Sequence, residues 1–181
     1  GRRNGDRPGL TAGRAQAMPT TLLIVYHSRT GGTEQMALAA RRGAQRADDL
    51  QVRLLHACDA GPDDLLAAQA YLFATPENLA AIAGQMKEFF DRCYYPVLGQ
   101  INARPYGLLV CAGSDGTNAV RQVERIATGW RLRKIAESLI ICTHAQTPEA
   151  ILAGKTIPRH DLQRCEDFGE TLGQGLVMGL F

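Results

Sequence analysis

Six consecutive residues near the start of the chain have the composition of a turn that binds a phosphate group. They follow the apolar run 22–26 and are Ser28, Arg29, Thr30, Gly31, Gly32 and Thr33. A helix that begins near Gly32 has unpaired backbone N–H groups and the positive end of its dipole there, which favours an anion. The glycines let a ligand approach the backbone, and the three hydroxyl groups are further donors. The segment therefore predicts a phosphomonoester site.

Two better-known phosphate motifs do not fit this segment. A nucleoside triphosphate loop needs a lysine after its last glycine, whereas Thr33 and Glu34 follow Gly32. The dinucleotide motif needs Gly-x-Gly-x-x-Gly, and that spacing is missing. Serine, threonine and glycine also occur in ordinary capped turns, so the segment alone leaves a structural turn as the alternative.

Apolar strands alternate with amphipathic helices along the rest of the chain. The predicted strands are 21–27, 51–57, 70–75, 106–112 and 136–143. The predicted helices are 33–46, 63–69, 78–93, 117–130 and a last one capped by Asp161 and ending near residue 175. Residues 146–159 have no regular pattern. This order predicts an α/β domain, a doubly wound parallel sheet of five strands in the order 2-1-3-4-5 within three layers.

In a doubly wound sheet, ligands bind beyond the carboxyl ends of the strands. The loops after the third and fourth predicted strands should therefore meet the phosphate segment. Both loops are rich in residues that expose backbone polar groups. The first contains Thr75, Pro76, Glu77 and Asn78, and the second contains Ala112, Gly113, Ser114, Asp115 and Gly116.

Charge and composition predict one domain behind a basic extension. The chain has 181 residues, of which 45% are hydrophobic and 21% are charged. Residues 1–17 contain four arginines and one aspartate, so the net charge of +2 belongs to this extension and residues 18–181 are nearly neutral. We expect residues 1–17 to be disordered and residues 18–181 to form a single domain, and we expect no nucleic-acid partner.

The remaining composition predicts a cytoplasmic protein without a structural metal. No apolar run approaches the ~20 residues of a membrane span. The five cysteines are widely spaced and contain no Cys-x-x-Cys pair, which argues against zinc and against a redox dithiol. We expect them to be reduced.

The three loops together resemble the FMN loops of flavodoxin-like proteins, particularly the NAD(P)H-dependent quinone and FMN reductases of flavodoxin fold. The resemblance covers roughly residues 18–181. It implies that Ser28 to Thr33 hold the FMN phosphate. It also implies that Thr75 to Asn78 line the isoalloxazine ring through backbone contacts and that Ala112 to Gly116 close its other edge.

The resemblance also implies a function, an oxidoreductase that passes electrons from NADH or NADPH through FMN to a quinone or a similar small acceptor. The alternative is a flavodoxin-type electron carrier without NAD(P)H turnover. Carriers usually place an aromatic residue in the third loop and are strongly acidic, whereas residues 113–118 contain no aromatic residue. A regulatory module of the same fold would need acidic residues after the first strand, where Tyr26 and His27 stand.

Four aromatic residues and one histidine are candidates for proton donation or for subunit contacts. His144, Tyr94 and Tyr95 are candidates for a proton donor because they lie near predicted strand or helix ends. Phe89 and Phe90, with the two tyrosines, predict either core or the surface of a homodimer or homotetramer. Trp130 is interpreted as a packing or interface residue rather than a flavin partner.

Overall fold

The computed structural model describes residues 18–181, so the predicted extension 1–17 lies outside the described residues. The described chain forms a central sheet with helices on both faces. Its strands are β1 Thr20–Tyr26, β2 Leu50–His56, β3 Ala70–Asn78, β4 Ala81–Ile82, β5 Pro105–Ala112, β6 Arg133–Lys134 and β7 Leu139–Cys142. Its helices are α1 Gly32–Ala44, α2 Pro62–Ala67, α3 Gly84–Val97, α4 Thr117–Gly129, α5 Pro148–Leu152 and α6 Arg159–Val177.

The five longer parallel strands confirm the predicted topology. They lie in the order β2-β1-β3-β5-β7, which is 2-1-3-4-5 when the longer strands are counted along the chain. The last predicted strand, 136–143, begins too early, because β7 starts only at Leu139. The chain instead pairs with β5 twice, first through β6 beside Pro105 and Tyr106 and then through β7 from Leu109 onward.

Each face of the sheet covers its own hydrophobic core. Alternate residues of β1 point to opposite sides, so that Leu23 packs with α3 and α4 while Ile24 packs with α1 and α6. Trp130 is 4% exposed and its ring meets Phe90 edge to face at 5.4 Å, which confirms its packing role. Phe89 is buried in the same core. The two phenylalanines are therefore core residues rather than part of a subunit surface.

The predicted helix 78–93 begins too early. Strand β3 continues through Asn78 and turns back into β4, with Glu77 opposite Ile82. Leu79 and Ala80 form the turn with φ angles of 49° and 61°. Such two-residue turns normally contain glycine or asparagine at these positions, so the sequence has no turn signal here. Helix α3 starts only at Gly84.

The C-terminal part also differs from the prediction. Helix α6 starts at Arg159 after Pro158, so Asp161 lies in its first turn rather than at its cap. The stretch 146–159 contains the short helix α5, capped by the Thr147 hydroxyl, which accepts a hydrogen bond from the Ala150 N–H at 3.2 Å. No helix within residues 18–181 is long and apolar enough to cross a lipid bilayer.

A buried carboxylate joins α6 to α1. The Glu166 side chain is only 5% exposed and accepts hydrogen bonds from Arg42, Arg46 and Arg159, each at 3.1 Å. The Arg159 hydrogen bond, together with the other two arginines, holds the pKa of Glu166 down at about 2, although its burial acts in the opposite direction. One carboxylate thus pairs with three arginines, two of them on α1.

We predict that Glu166→Gln lowers stability at neutral pH and flattens the acid limb of the stability curve. Because folding lowers the pKa of Glu166 from 4.5 to about 2, the stabilisation is complete above pH 4.5 and is lost as the pH falls towards 2. Urea unfolding at several pH values measures this effect. Glu137→Gln is the control, because Glu137 is 96% exposed and its contact with Lys134 is long at 3.4 Å. Equal acid limbs in wild type and Glu166→Gln would contradict the assignment.

Candidate functional site

The predicted loops meet at one cleft on the carboxyl edge of the sheet. The cleft has a volume of about 430 Å³, which lies within the usual range for small-molecule sites. It brings together residues from all three loops. The predicted residues that line it are Ser28, Arg29, Thr30, Gly32, Thr33, Pro76, Glu77, Asn78, Ala112, Gly113 and Ser114.

Four predicted residues lie beside the cleft wall rather than on it: Gly31, Thr75, Asp115 and Gly116. Gly31 and Gly116 precede α1 and α4 with φ angles of 93° and 86°, a backbone conformation that favours glycine. The Thr75 side chain is buried and accepts a hydrogen bond from the Ala83 N–H at 3.4 Å. These residues shape the loops, whereas their neighbours face the cleft.

The first loop ends in an uncapped helix terminus. Gly31 provides no side-chain cap for α1, and its own N–H donates to the Ser28 hydroxyl at 3.2 Å. The Thr33 hydroxyl gives a clearer indication of a ligand than the helix terminus does. Thr33 is 2% exposed, its Oγ1 has no hydrogen-bond partner within the described chain, and the residue lines the cleft. A buried unpaired hydroxyl costs about 1–3 kcal/mol, so this loop suits an anion that would accept its hydrogen bond.

The floor beneath this loop is packed and neutral. A Cβ on Gly32 would stand 2.8 Å from Cys111 Sγ, so only glycine lets the backbone lie this close. Burial raises the pKa of the Cys111 thiol to about 11, against the opposing effects of the Lys155 charge and of the Thr33 hydroxyl, which would donate to a thiolate but makes no hydrogen bond to the neutral thiol. The thiol is therefore neutral at pH 7 and does not repel an anion. None of the five cysteines is paired with another within the described residues.

The Glu77 side chain holds the third loop in place. Its carboxylate accepts hydrogen bonds from the Gly116 N–H at 3.0 Å and the Ala119 N–H at 3.3 Å. These are N–H groups at the start of α4, where an anion is favoured by the helix dipole. The sequence resemblance implied only backbone contacts at Glu77. Its side chain connects the end of β3 to the start of α4, and so fixes two walls of the cleft relative to each other.

We predict that Glu77→Ala loosens the start of α4. The Gly116 and Ala119 amide groups lose their acceptor, so their hydrogen exchange should accelerate by about tenfold or more, as expected for a lost charge-assisted hydrogen bond. Exchange measured by NMR tests this. Asp115→Ala is the matched control, because Asp115 lies in the same loop but its carboxylate accepts from Thr117. Unchanged protection of both amide groups in Glu77→Ala would contradict the linking role.

A fourth segment completes the cleft and was missed by the sequence analysis. The chain after β7 runs beside the third loop, where the Thr143 N–H donates to Ala112 O and the His144 N–H donates to Gly113 O, both at 2.8 Å. It lies at the carboxyl end of the fifth long strand, so the topology rule that located the other loops could have located this one. The cleft-lining residues that were missed are Leu79, Ala80, Cys111, Thr143, Ala145, Gln146, Ile151, Leu152 and Lys155.

The three candidate proton donors are not brought into this cleft. His144 is exposed between Thr143 and Ala145, with a φ angle of 60°, and those two neighbours line the cleft instead. Tyr94 and Tyr95 lie near the end of α3, and Tyr95 is 79% exposed. Neither tyrosine lines the cleft.

Comparisons with known proteins agree with this geometry. Residues 60–146 match the family model described as NADPH-dependent FMN reductase. A flavodoxin of Aquifex aeolicus is 34% identical over 94 residues, which are 52% of this chain and 49% of that protein. An NAD(P)H dehydrogenase (quinone) of Acidithiobacillus ferrooxidans is 33% identical over 39% of this chain and 46% of that protein. The chain thus spans about half the length of these curated relatives.

Solved structures show the same fold over most of the chain. The flavodoxin WrbA-like protein from Agrobacterium tumefaciens has a TM-score of 0.70 with 20% identity, covering 88% of this chain and 98% of that one. A flavodoxin from the domain Archaea has a TM-score of 0.72 with 17% identity, covering 87% of this chain and 99% of that one.

The described residues have a fold of the flavodoxin-like class. Within that class, the chain is similar to the NADPH-dependent FMN reductases over its central half.

Proposed function

We propose that the cleft binds FMN and that the protein transfers electrons from NADH or NADPH to a small acceptor such as a quinone. The unpaired Thr33 hydroxyl is the observation that carries the proposal. It lies with the uncapped start of α1 at one end of the cleft, where a phosphate would satisfy both. The similarity to NADPH-dependent FMN reductases supports FMN as the ligand, and the similarity to an NAD(P)H dehydrogenase (quinone) supports electron transfer from NAD(P)H to a quinone.

The cleft residues divide into a phosphate end and a ring end. Thr30 and Thr33 would donate hydroxyl hydrogen bonds to the phosphate, beside the free N–H groups of the first turn of α1. The β3–β4 hairpin and the loop at Gly113 would enclose the flat ring between backbone segments. Bound FMN supplies the two-electron chemistry, and the protein supplies position and exclusion of water.

The surroundings of the ring end favour an enzyme over a carrier. No aromatic side chain is among the residues from 18 to 181 that line the cleft. One face of a bound ring would therefore stay open for a nicotinamide or an acceptor. Leu79 is fully exposed at the rim, and Ile151 and Leu152 are 51% and 64% exposed at the cleft. These apolar groups suit a flat, largely apolar acceptor.

Flavin binding and NAD(P)H oxidation test the proposal in sequence. Purified protein is titrated with FMN, and flavin fluorescence and the visible spectrum are recorded. The loaded protein is then mixed with NADH or NADPH, with and without benzoquinone. We expect bound FMN and oxidation stimulated by benzoquinone, with the ping-pong kinetics of two substrates that use one site in turn. Bound FMN without NAD(P)H oxidation would favour the electron carrier, and failure to bind FMN would overturn both functions.

A further inference from the structure

A segment far along the chain runs directly beside the phosphate end of the cleft. We call residues 153–157 the strap. The Lys155 N–H in its centre donates to Thr30 O at 2.8 Å, so the strap is bonded to the loop that begins the site. The strap follows α5 and precedes α6, and it lies against the start of α1, where a Cβ on Gly32 would stand 3.5 Å from atoms of Lys155 and Ile157.

The Gln35 side chain fastens the strap to the loop. Its Nε2 donates to Gly31 O at 2.8 Å and to Lys155 O at 2.7 Å. Its Oε1 accepts from the Ile157 N–H at 3.0 Å. Both N–H groups and the oxygen of one amide are thus used, and all three bonds join the strap or the loop to α1. Lys155 is held at a fixed place relative to the helix terminus.

The Lys155 side chain starts at the loop backbone and lines the cleft. Its Cβ lies 3.5 Å from the point where a Cβ on Gly32 would stand. Its charge reaches the loop floor, where it opposes the rise in the pKa of the Cys111 thiol. The Nζ donates to Ile151 O at 2.9 Å and to Ala153 O at 2.6 Å. These two acceptors leave one of the three ammonium N–H groups available.

We propose that Lys155 binds the phosphate group of FMN and makes the site prefer FMN to riboflavin, with Gln35 as the positioning residue. This inference rests on the proposed function. The other cation at the cleft, Arg29, is exposed in the turn, whereas Lys155 is anchored through its backbone on both sides. An ammonium group paired with a phosphate dianion forms strong charge-assisted hydrogen bonds, while riboflavin has no charge for it to contact.

The test compares FMN and riboflavin on the same variants. Lys155→Met keeps the apolar stem and removes the charge. We expect its dissociation constant for FMN to rise about 10-fold to 100-fold, as for a lost charged hydrogen bond, and that for riboflavin to stay unchanged. Lys155→Arg should retain most of the preference. The ratio of FMN affinity to riboflavin affinity should also fall more steeply with rising salt concentration in the wild type than in Lys155→Met.

Lys87→Met is the matched control, because Lys87 is exposed on α3 and pairs with Asp91. It should leave both affinities unchanged. Equal losses for FMN and riboflavin in Lys155→Met would show a structural role and overturn the inference. So would an unchanged FMN affinity, although the wild type would still bind FMN and the proposed function would stand. A wild type that binds neither flavin would overturn the function itself and the inference with it.

The role of Gln35 is tested by a double-mutant cycle. Gln35→Met should lower the ratio of FMN to riboflavin affinity in the wild-type background, and should have little further effect in the Lys155→Met background. Additive effects would show that Gln35 acts on the loop by itself, which would overturn its role as the residue that positions Lys155.

Discussion

Replacing Gly169 with alanine will destabilise the protein by about 3 kcal/mol, near the upper end of the usual cost of inserting a methyl group into a packed interior. A Cβ at Gly169 would stand 1.9 Å from the Ala40 carbonyl oxygen, and one at Gly43 would stand 1.9 Å from the Glu166 carbonyl oxygen. Helices α1 and α6 thus cross with backbone against backbone. An added methyl group must push the helices apart, because a backbone atom cannot move aside as a flexible side chain can. Urea unfolding measures the change.

Gly129→Ala is the control for this prediction. Gly129 is also helical, but a Cβ there would meet no atom within 4 Å. Gly129 is the last residue of α4, where the advantage of alanine over glycine is smaller than in a helix interior, so we expect this variant to be as stable as the wild type or slightly more stable. A Gly169→Ala variant as stable as the wild type would mean that α1 and α6 are further apart than described. Because α1 begins at the proposed phosphate loop, the loss of this contact should also weaken flavin binding.

The Thr33→Val variant should have opposite effects on the flavin-free protein and on FMN binding. Valine has nearly the shape of threonine but no hydroxyl, so it removes a buried polar group that has no partner among the described residues. The flavin-free protein should therefore become more stable, by about 1 kcal/mol or more. FMN should bind about tenfold to a hundredfold more weakly, because the phosphate loses a donor. Thermal unfolding without flavin and a fluorescence titration with FMN measure the two effects.

Thr21→Val is the matched control, since Thr21 is a buried threonine whose hydroxyl is paired. Its Oγ1 donates to Pro19 O at 3.3 Å and lies 3.3 Å from Gln51 Oε1. This variant should lose stability and leave FMN affinity unchanged. If Thr33→Val kept the wild-type affinity for FMN, the hydroxyl would have no part in the site, and the assignment of this end of the cleft to a phosphate would lose its main support.

The parts of the site that could be predicted are those set by local sequence and by sheet topology. An apolar strand followed by Ser28 to Thr33 needs only neighbouring residues to form a turn and a helix start. The convergence of the loops at Pro76 and Gly113 needs only the rule that parallel strands end at one edge. Both depend on periodicity and chain order, which a single sequence contains.

The hairpin at Leu79 and the linking role of Glu77 could not be predicted in the same way. The turn lacks its usual residues, so only the pairing of β3 with β4 holds it in place. The Glu77 carboxylate finds its partners about 40 residues away, at Gly116 and Ala119. A carboxylate at a strand end is compatible with many partners, and the register of the sheet selects one of them.

The sequence by itself determined the fold class, the order of the long strands and the position of the loop between β1 and α1, because short-range spacing decides these. Only the tertiary structure decided which groups surround that loop. Gln35 and Lys155 are 120 residues apart, yet one amide joins them, and the strap becomes a wall of the cleft. Such contacts follow from how α1, α5 and α6 pack together, and packing is a property of the whole chain rather than of any segment.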